Sequence, residues 1–61
     1  MKMTKLAQVR KARKITQKEL ALRLGVKTTT ISDYERGVRS PNMNKLKAIA
    51  EAIGCEMSEI V

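Results

Sequence analysis

The chain has 61 residues, enough for one domain and too few for a deep catalytic cavity with a supporting core. It is 43% hydrophobic and 31% charged, as globular proteins are, and its formal net charge of +7 is typical of small domains that meet a polyanion. One cysteine and no histidine exclude an internal disulfide and a plausible zinc site, and no apolar run is long enough to span a membrane.

The first predicted helix runs from about Thr4 to Arg13, because Leu6, Val9 and Ala12 recur at three-residue spacing. Lysine and arginine fill its other faces. The N-terminal stretch has no apolar block and therefore does not resemble a signal peptide. We expect a cytoplasmic protein that needs no cofactor and no metal.

The second predicted helix begins at Thr16. The spacing of Thr16 and Glu19 predicts a capping box, in which each side chain accepts a hydrogen bond from the other residue's backbone N–H. Gly25 ends the helix, because glycine adopts positive φ without strain. The apolar stripe of this helix consists of Leu20, Ala21 and Leu24.

The third predicted helix runs from about Thr28 to Arg36. Its three consecutive threonines are poor helix formers, and propensity alone would favour a strand. The periodicity of the apolar residues favours a helix, because Val26, Ile31 and Tyr34 fit one helical face. Gly37 supplies a stop signal directly after it.

A fourth helix is predicted from Met43 to Ala52, with Asn42 as its N-cap after Pro41 and with Gly54 as its end. Its apolar stripe consists of Leu46, Ile49, Ala50 and Ile53.

A fifth piece, from Glu56 to Val61, is barely one helical turn, with Met57 and Ile60 facing inward. Cys55 is predicted to be a small buried core residue. These elements predict an all-α fold, a compact five-helix bundle that forms a single domain over residues 1–61.

The second and third helices flank a short turn, and together they have the spacing of a helix-turn-helix unit over residues 16–37. Gly25 suits the positive φ that such a turn needs. Ala21 is small where the two helices must approach closely, and Ile31 is apolar where the angle between them must be filled.

The string TQKELALRLGVKTTTISDYERGVRSP, followed by LKAIAEAIGCEMSEI, resembles the phage Cro and lambda-repressor type of helix-turn-helix, also called the XRE family. The resemblance covers Leu6 to Ile60. It implies a five-helix bundle whose third helix lies in the major groove of double-stranded DNA. It also implies regulation of transcription in a bacterium or a phage, as a repressor or a Cro-like switch. An enzyme is not expected, because the sequence shows no pairing of nucleophile, base or metal ligand.

The resemblance places the base-reading side chains at the start of the third helix and along it, and positions 28, 29, 32 and 33 lie on its face opposite Ile31 and Tyr34. The expected base readers are Lys27, Thr28, Thr29 and Asp33, with Ser32 as a lesser candidate. A threonine can donate or accept a hydrogen bond, and its methyl can touch a thymine methyl. Asp33 could accept from cytosine N4, or it could be a specificity filter or a partner of Lys27 or Arg36 within the protein.

Phosphate contacts are expected around the edge of this face, at Gln17, Arg36, Arg39, Asn44 and Lys45. The alternative for Arg39 and Lys45 is a solvated charge. The resemblance further implies a structural ion pair between Arg10 and Glu35, with a DNA contact by Arg10 as the alternative.

We also expect a homodimer, at least on DNA, because one domain covers only half a site; the contact is expected near Glu56 to Val61.

The alternative function is an antitoxin that binds a protein partner and represses its own promoter, although such proteins usually carry a toxin-binding tail beyond the domain. A cationic membrane peptide is a third reading, but it predicts helicity only with lipid, whereas the paired caps predict folding in water.

Overall fold

The computed structural model describes residues 4–61, so residues 1–3 of the predicted domain lie outside the described part. Within 4–61 there are four α-helices and no strand. The helices are α1 (Thr4–Ala12), α2 (Gln17–Leu24), α3 (Thr28–Arg36) and α4 (Met43–Ile53), followed by a short 3-10 helix, η1 (Met57–Glu59). None of these helices has both the length and the apolar character needed to cross a membrane.

The all-α class is confirmed, but the prediction of five helices is wrong in its count, because the last piece is a single 3-10 turn. The backbone N–H of Glu59 donates to Glu56 O at 3.0 Å, and that of Ile60 donates to Met57 O at 3.1 Å. These are i→i+3 bonds, which are typical of segments too short to propagate an α-helix.

The capping residues begin the helices where the sequence predicts. Thr16 Oγ1 accepts from the backbone N–H of Glu19 at 3.0 Å, and Glu19 Oε1 accepts from the backbone N–H of Thr16 at 3.3 Å. The predicted capping box of α2 is therefore present. Asn42 Oδ1 caps α4 in the same manner, accepting from the backbone N–H of Lys45 at 2.8 Å.

The buried side chains form one apolar core to which all four helices contribute, together with Ile15 and with Ile60 directly after η1. It consists of Leu6, Ile15, Leu20, Ala21, Ile31, Tyr34, Leu46, Ile49, Ala50, Ile53 and Ile60. Cys55 and Met57, predicted to lie inside, are half-buried at the edge of this core, as is Leu24.

Ala12 departs from the predicted stripe of α1, because it is exposed. An α-helix has 3.6 residues per turn, so a residue six positions after Leu6 lies about a third of a turn away from it. The position four residues after Leu6 is instead occupied by Arg10, which is 6% exposed. The last buried residue on the core-facing side of α1 is thus a charged one, Arg10.

Candidate nucleic-acid interface

The turn between α2 and α3 is held by backbone hydrogen bonds. Val26 N donates to Ala21 O at 3.0 Å, and Gly25, with φ +68°, occupies the left-handed conformation that its sequence position predicts. Ala21 and Ile31 are both buried between the helices, at 1% and 0% exposure. Both side chains belong to the one apolar core, so α2 and α3 are anchored on the two sides of the turn.

The outer side of α3 carries the predicted base readers. Lys27, Thr28 and Thr29 are exposed, while Ser32 and Asp33 are half-buried. Ile31 and Tyr34 are buried on the other side of the same helix. Because one face of α3 is anchored in the core, its N-terminal side chains are presented to solvent on a rigid element.

Arg10 and Glu35 lie in direct contact between α1 and the end of α3. Arg10 Nε donates to Glu35 Oε2 at 2.7 Å, and Nη2 donates to Oε1 at 3.1 Å, which makes the pair bidentate. Arg10 Nη1 also donates to the backbone carbonyl of Ile15 at 2.8 Å. The two side chains are only 7% and 9% exposed, so this ion pair is buried.

Gln17, expected as a phosphate contact, has its amide group turned toward this ion pair. Its Nε2 donates to Glu35 Oε1 at 3.0 Å. The residue therefore links the first turn of α2 to the last turn of α3. No local pattern along the chain predicts this bond, because the two residues are 18 positions apart and belong to different helices.

Asp33 carries a second ionic cluster, on the outside of α3. Its Oδ1 lies 2.6 Å from Arg36 Nη2, and its Oδ2 lies 3.5 Å from Arg39 Nε. This arrangement matches the predicted alternative in which Asp33 pairs with Arg36. It also includes an ion pair between Asp33 and Arg39, which the sequence analysis did not predict. We refer to Asp33, Arg36 and Arg39 as the rim cluster.

Asn44 and Lys45, the remaining expected phosphate contacts, are exposed in the first turn of α4. Arg39, the last member of the rim cluster, lies in the loop that precedes α4. The predicted phosphate contacts thus lie on the first turn of α2, at the end of α3, in the following loop and in the first turn of α4.

Two further arginines have roles that the sequence did not reveal. Arg13 Nη1 donates to Gly54 O at 2.7 Å, and Arg23 Nη1 donates to Ala52 O at 2.8 Å. Both cations therefore bind the carbonyl end of α4, where the helix dipole favours positive charge. Their acceptors lie 41 and 29 positions along the chain, beyond the reach of local sequence patterns.

A helix-turn-helix family profile matches residues 6–60. The immunity repressor protein of Bacillus phage phi105 is 35% identical over 57 residues, which cover 93% of this chain and 40% of the repressor. The HTH-type transcriptional activator BcrR of Enterococcus faecalis is 39% identical over 57 residues, covering 93% of this chain and 28% of BcrR.

The fold is also similar to that of a solved structure, the restriction-modification controller protein C.AhdI from Aeromonas hydrophila. The two superpose with a TM-score of 0.88 at 26% sequence identity, and the match covers 95% of this chain and 88% of the controller protein. By contrast, the chain spans less than half the length of the two curated relatives. The predicted resemblance to the Cro and repressor class is confirmed by these matches.

Proposed function

Because this chain belongs to the helix-turn-helix family, we propose that it binds double-stranded DNA in a sequence-specific way and regulates transcription. The proposal rests on the one-sided burial of α3. Ile31 and Tyr34 are buried in the core, while Lys27, Thr28 and Thr29 at the start of the helix are exposed. A helix supported in this manner can enter the major groove without losing its packing.

The proposed readers suit direct contact with base edges. Thr28 and Thr29 each offer a hydroxyl for a hydrogen bond and a methyl for contact with thymine. Lys27, at the N-cap of α3, can reach guanine acceptors or a phosphate. The net charge of +7 supports binding to the phosphate backbone, which supplies much of the affinity of such domains.

We further propose repression as the regulatory outcome. A domain that occupies the major groove can exclude polymerase from an overlapping promoter without any further contact. The relatives include one protein named as a repressor and one named as an activator, so the comparisons alone do not distinguish repression from activation. A regulator of this kind acts in the cytoplasm, where we place this protein.

The experiment is selection of bound fragments from a random duplex pool, followed by titration of the selected duplex and of a scrambled duplex at several salt concentrations. The logarithm of the affinity should fall linearly with the logarithm of salt, with a slope of roughly 0.9 per phosphate neutralised. Thr28→Val keeps the shape of the side chain but removes its hydroxyl, so comparison with the wild type shows whether that hydroxyl takes part in base reading. Failure to enrich any motif, or equal affinity for both duplexes, would contradict the proposal.

We also propose that two copies act together on DNA as a two-fold dimer. Val61 is 65% exposed beside Ile60, which is 1% exposed in the core, so an apolar side chain stands uncovered at this end. An isologous contact near residues 56–61 would cover it and would allow two α3 helices to lie one duplex turn apart, about 34 Å. Sedimentation at saturating protein on a palindromic duplex should give two chains per duplex; one chain per duplex would refute the dimer.

A further inference from the structure

The rim cluster places a carboxylate between two arginines at the edge of the proposed reading face. Asp33 Oδ1 contacts Arg36 at 2.6 Å, and Oδ2 lies 3.5 Å from Arg39, so each oxygen faces a different guanidinium. The backbone of the same residue also holds the following loop, because Asp33 O accepts from Val38 N at 2.9 Å and from Arg39 N at 3.3 Å. The residue therefore fixes the position of Arg39 through both its main chain and its side chain.

The exposures of the three side chains indicate that this cluster serves more than stability. Arg36 and Arg39 are 63% and 65% exposed, whereas Asp33 is only 20% exposed. Ion pairs whose cations face water contribute little to folding. The carboxylate is held in place on α3, however, and a fixed anion beside two exposed cations changes how those cations meet a phosphate.

We propose that Asp33 is a positioning residue that restrains Arg36 and Arg39 and lowers their sequence-independent affinity for DNA phosphates. This inference rests on the proposed function. Any phosphate that binds either guanidinium competes with the Asp33 carboxylate for its N–H donors, and it is also repelled by that negative charge. Non-specific binding is weakened as a result, and discrimination depends more strongly on the contacts of Lys27 and the threonines.

The first test is Asp33→Asn, measured on a mixed-sequence duplex of two helical turns. Glu51→Gln is the matched control, because it makes the same change in net charge at an exposed residue of α4 for which the described structure shows no hydrogen bond or ion pair. Asp33→Asn should raise the non-specific affinity several-fold above that of the control. Its salt slope should steepen by about 0.9 for each further phosphate engaged.

The second test asks whether the effect of Asp33 is transmitted through the arginines. In a background with Arg36→Ala and Arg39→Ala, Asp33→Asn should no longer raise the non-specific affinity more than Glu51→Gln does. A gain that persists in this background, or a gain no larger than the control's, would overturn the inference. So would a changed base preference at one position of the selected motif with unchanged non-specific affinity, since that result assigns Asp33 to base reading.

A third test needs no DNA and separates this inference from the proposed function. The side-chain Nε–Hε groups of Arg36 and Arg39 should be more ordered by NMR relaxation in the wild-type protein than in Asp33→Asn. Equal mobility in both proteins would overturn the restraint. Ordered arginines in a wild-type protein that binds no duplex would refute the proposed function, and with it the effect on DNA, while the restraint itself would stand.

Discussion

Replacing either member of the buried Arg10–Glu35 pair should cost this protein a large part of its folding free energy. Arg10→Met removes both hydrogen bonds to Glu35 and leaves the carbonyl of Ile15 without its 2.8 Å donor. Glu35→Leu leaves the Arg10 guanidinium, 7% exposed, with that carbonyl as its remaining acceptor in the described structure. In each case a charged group stays buried without its counter-charge.

The magnitude follows from the burial and from the size of the chain. Removing one partner of a buried pair costs about 3–5 kcal/mol. A domain of 61 residues has a total stability of about 3–9 kcal/mol, from roughly 0.05–0.15 kcal/mol per residue. Either single substitution therefore leaves a marginal or unfolded protein.

The assay is urea unfolding of the wild type, both single variants and the double variant. The double variant should recover part of the loss, because no uncompensated charge remains. Arg36→Met is the matched control, since it replaces an arginine that is 63% exposed and paired at the surface, and it should cost at most about 1 kcal/mol. Additive losses in the double-mutant cycle, or a control as costly as Arg10→Met, would refute the reasoning.

The other predictions concern single sites. Gly25→Ala should cost about 1–2 kcal/mol in urea unfolding, because φ is +68° while the added Cβ meets nothing within 4 Å; no cost would mean that the turn relaxes. Thr28→Ala should relax preference at one or two base pairs, each worth about 1–3 kcal/mol, whereas Arg39→Ala should weaken binding to every sequence alike in the same titrations. Burial raises the pKa of the Cys55 thiol, with a further contribution from the Glu59 carboxylate. The folded protein should therefore alkylate more slowly at neutral pH than its urea-unfolded form, and equal rates would contradict this.

The parts of the fold that sequence reasoning predicted correctly are those with local causes. The capping box of Thr16 and Glu19 acts over three residues, and the stops at Gly25 and Gly54 follow from the backbone freedom of glycine. Even the unfavourable threonines of α3 were assigned correctly, because the periodicity of the core residues outweighs intrinsic propensity. Burial of one helix face thus predicts an element more reliably than composition does.

The misses have causes that lie outside the local sequence. Lys14 ends the turn after α1 at φ +58°, although no glycine marks that position. The arginines that cap α4 come from α1 and α2, and Gln17 meets Glu35 only after the two helices pack. Each depends on the three-dimensional arrangement, so a pattern along the chain cannot reveal it.

The structure divides the positive charge of this protein between two residue types. Four of the five arginines donate a hydrogen bond to a carboxylate or to a backbone carbonyl, and the fifth, Arg39, forms a 3.5 Å ion pair with Asp33; the four donors are Arg10, Arg13, Arg23 and Arg36. No lysine side chain in the described residues does so. This division follows from chemistry, because the planar guanidinium fork suits fixed, bidentate acceptors while the lysine ammonium is compact and strongly hydrated. The solvated lysines thus supply the diffuse field that attracts a polyanion, while Arg10, Arg13 and Arg23 join the helices whose exposed face we propose reads it.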